Sequence, residues 1–173
     1  MIELIVFDWG DTVMRDMPQY GGPMVEWPHV EAMPEIETAL QTLKPAYRLA
    51  LATNAAESGA EKVRAALARA GLDDYFDVVL TARELGVSKP DPAFFDALLA
   101  ACGCVPHQAV MVGDNYRTDI VGAKLASLWA VWYNAAHADP PGDSALGPDA
   151  EIGALSELAA VIRTLDLHAP GSA

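Results

Sequence analysis

The chain begins with a nearly unbroken apolar run, Ile2-Glu3-Leu4-Ile5-Val6-Phe7, that stops at the polar turn Asp8-Trp9-Gly10-Asp11-Thr12. A short run of β-branched and aromatic residues bounded by turn formers predicts a buried strand. From Glu35 to Lys44 the period changes, because Ile36, Ala39, Leu40 and Leu43 recur at helical spacing with Pro34 suited to the first turn. Leu49-Ala50-Leu51-Ala52 predicts a second strand ending at Thr53-Asn54, and Glu57 to Ala70 a helix closed by Gly71. The same alternation gives a strand at Val78-Val79-Leu80, a helix from Pro92 to Cys102, a strand from Ala109 to Val112, a helix from Thr118 to Ser127, a strand from Trp129 to Tyr133 and a closing helix from Glu157 to Leu165. Strands alternating with helices imply right-handed crossovers and a mostly parallel sheet covered on both faces, an α/β fold. Residues 134–150, rich in Pro, Gly and Asp, predict a long loop that either borders a site or moves. The tail His168-Ala-Pro-Gly-Ser-Ala is expected to fray.

Composition bounds the function. A length of 173 residues suits one domain, expected over 1–168 with a short insertion at 13–34 and a flexible tail at 169–173. The hydrophobic fraction of 52% is spread along the chain, and no stretch approaches the roughly 20 apolar residues that span a bilayer. No basic segment precedes the first apolar run, so a secretory signal is not expected and the cytoplasm is the expected location. A net charge of −13 repels nucleic acid and anionic membrane, which are excluded as partners. Cys102 and Cys104 lack a second pair to complete a zinc site and are expected to be free thiols in a reducing compartment.

In open parallel sheets ligands bind beyond the carboxyl ends of the strands, so the residues there carry the chemistry. In order these are Asp8, Thr53-Asn54, Lys89 in a loop before a helix, and Gly113-Asp114 with Asp119. Two acids, a hydroxyl and an amine converging on one crevice suit phosphoryl transfer, where an incoming dianion must be neutralised and its oxygens held for in-line attack. Two carboxylates at neighbouring strand ends repel each other unless a divalent cation lies between them, and Mg2+ prefers such hard oxygen ligands. Asp8 would then attack phosphorus, giving an aspartyl phosphate that water cleaves.

These residues fall in a known order. Phe7-Asp8-Trp9-Gly10-Asp11-Thr12, Thr53 at a strand end, Ser88-Lys89-Pro90-Asp91-Pro92, and Gly113-Asp114-Asn115-Tyr116-Arg117-Thr118-Asp119 resemble, in sequence order, the four motifs of the haloacid dehalogenase superfamily. The resemblance implies a Rossmann-like three-layer domain with a mostly parallel sheet and, here, a very small cap insertion. It implies Asp8 as nucleophile and metal ligand, the Gly10 carbonyl and Asp114 as further ligands of Mg2+, and Asp119 as a supporting carboxylate behind them. Thr53 and Lys89 would hold the phosphoryl group, with Asn54 as a further substrate contact or a helix cap.

One departure matters. Phosphatases of the superfamily carry a second Asp two residues after the nucleophile, which protonates the leaving group and later activates water, and Gly10 stands there instead. General acid/base catalysis contributes roughly 10² to 10⁴ in rate. Three routes could restore it: Asp11 turning into the role, Asp16 or His29 of the insertion supplying the proton, or a substrate with an acidic leaving group. Asp11 is the first choice on sequence. The dehalogenases proper lack the acid found here at Asp114, and phosphonoacetaldehyde hydrolases need a lysine from a larger cap, whereas Thr12 to Pro34 contains none. An insertion this short leaves the pocket open to a small phosphorylated metabolite or a larger phosphorylated substrate, or lets a second subunit cover it. Tyr20, Met24 and Trp27 are the candidates for such an interface, and monomer and homodimer both stay open. The function expected is that of a Mg2+-dependent phosphatase, the alternative a weakly active or inactive relative that binds metal and phosphate as a regulatory protein.

Overall fold

A computed structural model describes residues 1–142 and 145–169 of the chain. In chain order it comprises β1 (Leu4–Phe7), α1 (Ile36–Leu43), β2 (Arg48–Thr53), α2 (Ala60–Arg69), β3 (Val78–Thr81), α3 (Ala82–Leu85), α4 (Pro92–Cys102), β4 (Ala109–Gly113), a π-helical turn (Tyr116–Val121) running into α5 (Gly122–Leu125), β5 (Trp129–Tyr133), β6 (Ala150–Ile152) and α6 (Leu158–His168). The strands form one sheet in the order β3-β2-β1-β4-β5-β6, every neighbouring pair parallel.

Side-chain alternation along each strand sorts the core into two halves. Ile5 and Phe7 of β1, Leu49 and Leu51 of β2, and Val110 and Val112 of β4 face α1, α2 and α6 through Leu40, Leu43, Val63, Leu67, Leu158 and Ile162. Leu4, Val6, Ala50, Ala52 and Met111 face the other way, onto Phe94, Phe95 and Leu98 of α4 and Ala123 of α5. Each fully buried Leu, Ile or Phe contributes about 1.5–3 kcal/mol relative to exposure, so burial on both faces explains why the strands read as continuous apolar runs.

The chain winds outward from β1 to β2 and β3, crosses back, and winds outward again through β4, β5 and β6. The reversal opens a crevice between the ends of β1 and β4, where an open sheet of this kind binds its ligand. Phe7 is registered against Val112, so Asp8 and Gly113 leave the sheet side by side, with Asp8 N–H donating to the Val112 carbonyl at 2.9 Å.

Several boundaries differ from the sequence expectation. The ladder of β1 starts at Leu4, and the Ile2 N–H donates outside the sheet, to Asp166 Oδ1 of α6 at 2.5 Å. The helix expected from Glu57 begins at Ala60, and the one expected from Thr118 is a π-helical turn that begins at Tyr116. Residues 134–150 were expected as loop throughout, whereas Ala150 opens the short strand β6 against β5. At the tail, His168 ends α6 and Ala169 is buried; the rest of the expected flexible segment, 170–173, lies outside the described residues.

The insertion at 13–34 is fastened to the domain. Met14 bridges Gly10 on one side and Ala32 on the other. Arg69 of α2 donates to the carbonyls of Val25 at 2.9 Å and Trp27 at 2.7 Å, and Lys62 pairs with Glu26 at 2.9 Å. Met24 and Trp27 are 5% and 8% exposed and belong to the core, which overturns the expectation that they offer an interface; Tyr20 packs against Trp27 with ring centroids 5.6 Å apart and the planes tilted by 51°. Arg69 and the apolar floor supplied by α2 turn them inward.

Candidate active site

Asp8 follows β1 and Asp114 follows β4, one strand apart at the crevice. The Asp114 main chain is held from two directions. Its N–H donates to Thr12 Oγ1 at 3.1 Å, and its carbonyl accepts the Trp132 indole N–H at 2.9 Å. Asn115 caps the π-helical turn by accepting the N–H groups of Arg117 and Thr118, both at 3.1 Å. That turn aims Asp119 inward, where it is fully buried, with Oδ2 accepting the Asn115 N–H at 3.1 Å.

Lys89 completes the cluster. It is 3% exposed, and its Nζ lies 2.7 Å from Asp8 Oδ1 and 2.7 Å from Asp119 Oδ1. Its backbone is clamped by Asn54, whose Nδ2 donates to the Lys89 carbonyl at 2.8 Å and whose Oδ1 accepts the Lys89 N–H at 2.9 Å. The Lys89-Pro90 peptide is cis, and Asp91 then caps α4 by accepting the Ala93 N–H at 2.9 Å. Asn54 thus braces the lysine, while its side chain stays exposed at a neighbouring cavity. Each end of its amide makes one bond to the lysine that follows it by 35 residues.

Ligand oxygens of Asp8, Asp114 and Asp119 all fall within 4.8 Å of one another. Burial, followed by the charges of Asp8 and Asp11, pushes the Asp114 carboxyl up to about 6. Burial opposes the charge on Lys89, yet Asp8 and Asp119 outweigh it and hold the ammonium above the usual lysine range. Burial also pushes Asp119 up, against the pull of Lys89. Negative charge thus exceeds what Lys89 balances, and the donors are hard oxygens, so the set fits a divalent cation such as Mg2+.

Two cavities flank the cluster. One of about 290 Å³ lies between the insertion and the end of β2, lined by Trp9, Gly10, Asp16, Trp27, Thr53 and Glu57 among others. Thr53 Oγ1 accepts the Ala55 N–H there at 3.0 Å, which fixes the hydroxyl at the cavity wall. Trp9, 6% exposed, also forms part of that wall, and its indole N–H has no partner among the described residues. The other cavity, of about 270 Å³, holds Asp11 and Asp114 with Trp132 and Tyr133.

The haloacid dehalogenase-like hydrolase family matches residues 10–127, more than half of the chain. This chain belongs to that family. Likeness to a solved structure extends over nearly all of it: a crystal structure of an uncharacterized protein from Listeria monocytogenes is similar at a TM-score of 0.85 and 25% identity, covering 95% of this chain and 99% of that one. A HAD phosphatase from Thermococcus onnurineus is similar at a TM-score of 0.65 and 34% identity, covering 77% of this chain and 59% of that one. The phosphoserine phosphatase of Thermus thermophilus is 39% identical over 126 residues, 72% of this chain and 49% of that protein. The chain spans about half the length of the curated relatives it matches.

Within this haloacid dehalogenase-like site the structure brings together Asp8, Lys89, Asp114 and Asp119, and places Gly10 and Thr53 beside the same crevice. His29 lies apart, 3.9 Å from Glu31 on an exposed edge of the insertion. Asp11 has a left-handed backbone (φ 53°), and its Oδ1 accepts the Asp16 N–H at 2.9 Å. The sequence reading gave Thr12 and Trp132 no part here. Thr12 sat inside the first motif as a visible signal, whereas nothing in the sequence ties Trp132 to Asp114.

Proposed function

We propose that the chain is a Mg2+-dependent phosphatase that hydrolyses a phosphate monoester through an aspartyl phosphate on Asp8. The observation that carries this reading is the Asp8, Asp114 and Asp119 carboxylate cluster with Lys89 bridging two of its members. The phosphatase relatives from Thermus thermophilus and Thermococcus onnurineus support it.

Both Asp119 oxygens are committed to Lys89 and to the Asn115 N–H, which leaves Asp8, Asp114 and the Gly10 carbonyl to hold the ion. Bound there, Mg2+ supplies Lewis-acid stabilisation of charge developing on the phosphoryl oxygens. Lys89 adds a fixed positive charge and orients Asp8 Oδ1, and the Thr53 hydroxyl holds a phosphoryl oxygen. Asp8 attacks phosphorus in line, the bond to the leaving oxygen breaks, and water then cleaves the acyl phosphate, releasing phosphate and restoring Asp8. Trp9, Met24 and Trp27 around the leaving-group cavity, with Asp16 and Glu57 and no cationic side chain among its described lining, favour a small organic leaving group that is not itself an anion.

A panel of phosphate monoesters assayed with and without Mg2+ tests the reading, with Asp8→Asn as control and calorimetric titration of Mg2+ alongside. Turnover that needs both the metal and Asp8 is expected. Binding of Mg2+ and inorganic phosphate without turnover of any ester would replace it with a regulatory binding protein, the reading that Gly10 favours.

A further inference from the structure

An ideal Cβ built on Gly10 would lie 4.0 Å from the Cβ of Asp16. That is closer than the 4.5–5.5 Å typical of side chains directly opposite each other in paired strands. The two positions are thus near neighbours, and Asp16 lines the cavity proposed for the leaving group together with Gly10 and Thr53. We propose that Asp16 is the general acid and base of this enzyme, supplying from the insertion the carboxyl group that Gly10 cannot. The proposal rests on the phosphatase reading above and deepens it.

Asp16 sits on a braced segment. Asp11 Oδ1 takes its N–H at 2.9 Å, the Met14 carbonyl accepts the Asp11 N–H at 2.7 Å, and the Arg15 N–H donates to the Glu31 carbonyl at 2.8 Å. The Arg15 side chain adds an ion pair to Glu31 at 3.0 Å. Asp11 is thereby a positioning residue. Its own carboxylate is engaged by Asp16 and lines the cavity on the Asp114 side, away from Thr53. On this proposal Asp11, the first choice on sequence, acts by positioning Asp16.

The chemistry balances. As Asp8 bonds to phosphorus, the bond to the ester oxygen breaks and its electron pair stays on that oxygen, which takes the proton of the Asp16 carboxyl. The Asp16 carboxylate then removes a proton from water as the water oxygen bonds to phosphorus and the Asp8 oxygen departs. Phosphate and an alcohol leave, and Asp16 is protonated again.

The test uses 4-nitrophenyl, phenyl and benzyl phosphate with Mg2+, three esters of similar shape whose leaving groups need increasing help. Asp16→Asn is expected to lower kcat/KM on benzyl phosphate by roughly 10²-fold or more and on 4-nitrophenyl phosphate by less than about tenfold. Mass spectrometry of quenched reactions should find phospho-Asp8 accumulating in Asp16→Asn with 4-nitrophenyl phosphate, since water activation is lost. Adding Gly10→Asp to Asp16→Asn should restore at least about tenfold on benzyl phosphate, because the ideal Cβ at Gly10 meets only ordinary van der Waals contact. Equal losses on all three esters, or the selective loss appearing in Asp11→Asn and not in Asp16→Asn, would overturn the Asp16 role alone. A wild-type enzyme inert on every ester would overturn the phosphatase reading with it.

Discussion

Lys89 and Asp119 form a buried pair in which Nζ sits 2.7 Å from Oδ1, and the same ammonium lies 2.7 Å from Asp8. One cation thus serves two anions in a place largely closed to solvent. Removing a single partner of a buried ion pair is costly because a desolvated charge is left behind, typically about 3–5 kcal/mol. In EDTA, Lys89→Met should lose stability in that range by urea denaturation. The Lys89→Met/Asp119→Leu double variant should lose less than the sum of the two single changes. Additive losses would mean that the pair is not coupled.

Asp114 gives the protein a pH dependence whose sign can be worked out. Its folded-state carboxyl, raised from 3.8 to about 6, binds its proton more tightly than in the unfolded chain. This group therefore makes stability fall as pH rises from about 4 to about 6, with the loss complete above that window. A divalent cation opposes the carboxylate repulsion that adds to burial in raising it, and competes with the same proton. The increase in Tm on adding Mg2+ should accordingly be larger at pH 7.5 than at pH 5. An equal increase at both pH values would argue against Asp114 as a ligand.

Two glycines at the site should respond oppositely to a methyl group. A Cβ on Gly113 would collide with the Asp119 carboxylate, while one on Gly10 finds its nearest neighbour at 4.0 Å. Gly113→Ala must push Asp119 away from Lys89 and is expected to cost about 1–3 kcal/mol, together with most of the turnover. Gly10→Ala should stay within about 0.5 kcal/mol of the parent by thermal or chemical denaturation.

Asn54 supplies a test of positioning at a distance from phosphorus. Asn54→Ala frees both the N–H and the carbonyl of Lys89, and should cost about 1–3 kcal/mol of stability. Misplacing a catalytic group by about 1 Å can cost 10²-fold, so the loss should fall mainly on kcat. If KM rose with kcat unchanged, Asn54 would instead be a substrate contact.

Much of this site was legible as sequence. Asp8, Thr53, Lys89 and Asp114 each follow an apolar run or precede a helix, and a parallel sheet collects such positions at one edge whatever the intervening loops do. The supporting bonds were not legible, because they close only in three dimensions: Asn54 finds a backbone 35 residues on, and Trp132 reaches Asp114 from the next strand. Met24 and Trp27 read as exposed because a Pro- and Gly-rich stretch has no period to declare an inner face. Their inner face is set by Arg69 of α2. The three-residue β6 offers no alternation to detect. The signature Thr81-x-x-Glu84 does mark α3 in hindsight, since Thr81 Oγ1 accepts the Glu84 N–H at 3.3 Å.

Arg69, gripping the main chain at Val25, Trp27 and Pro28, fastens the insertion that walls one cavity to the second helix. Many enzymes bury their substrate by swinging a cover shut. Here three main-chain bonds tie one cavity wall to a helix of the domain, and on the phosphatase reading proposed above the shape of that rim would bear on which esters enter.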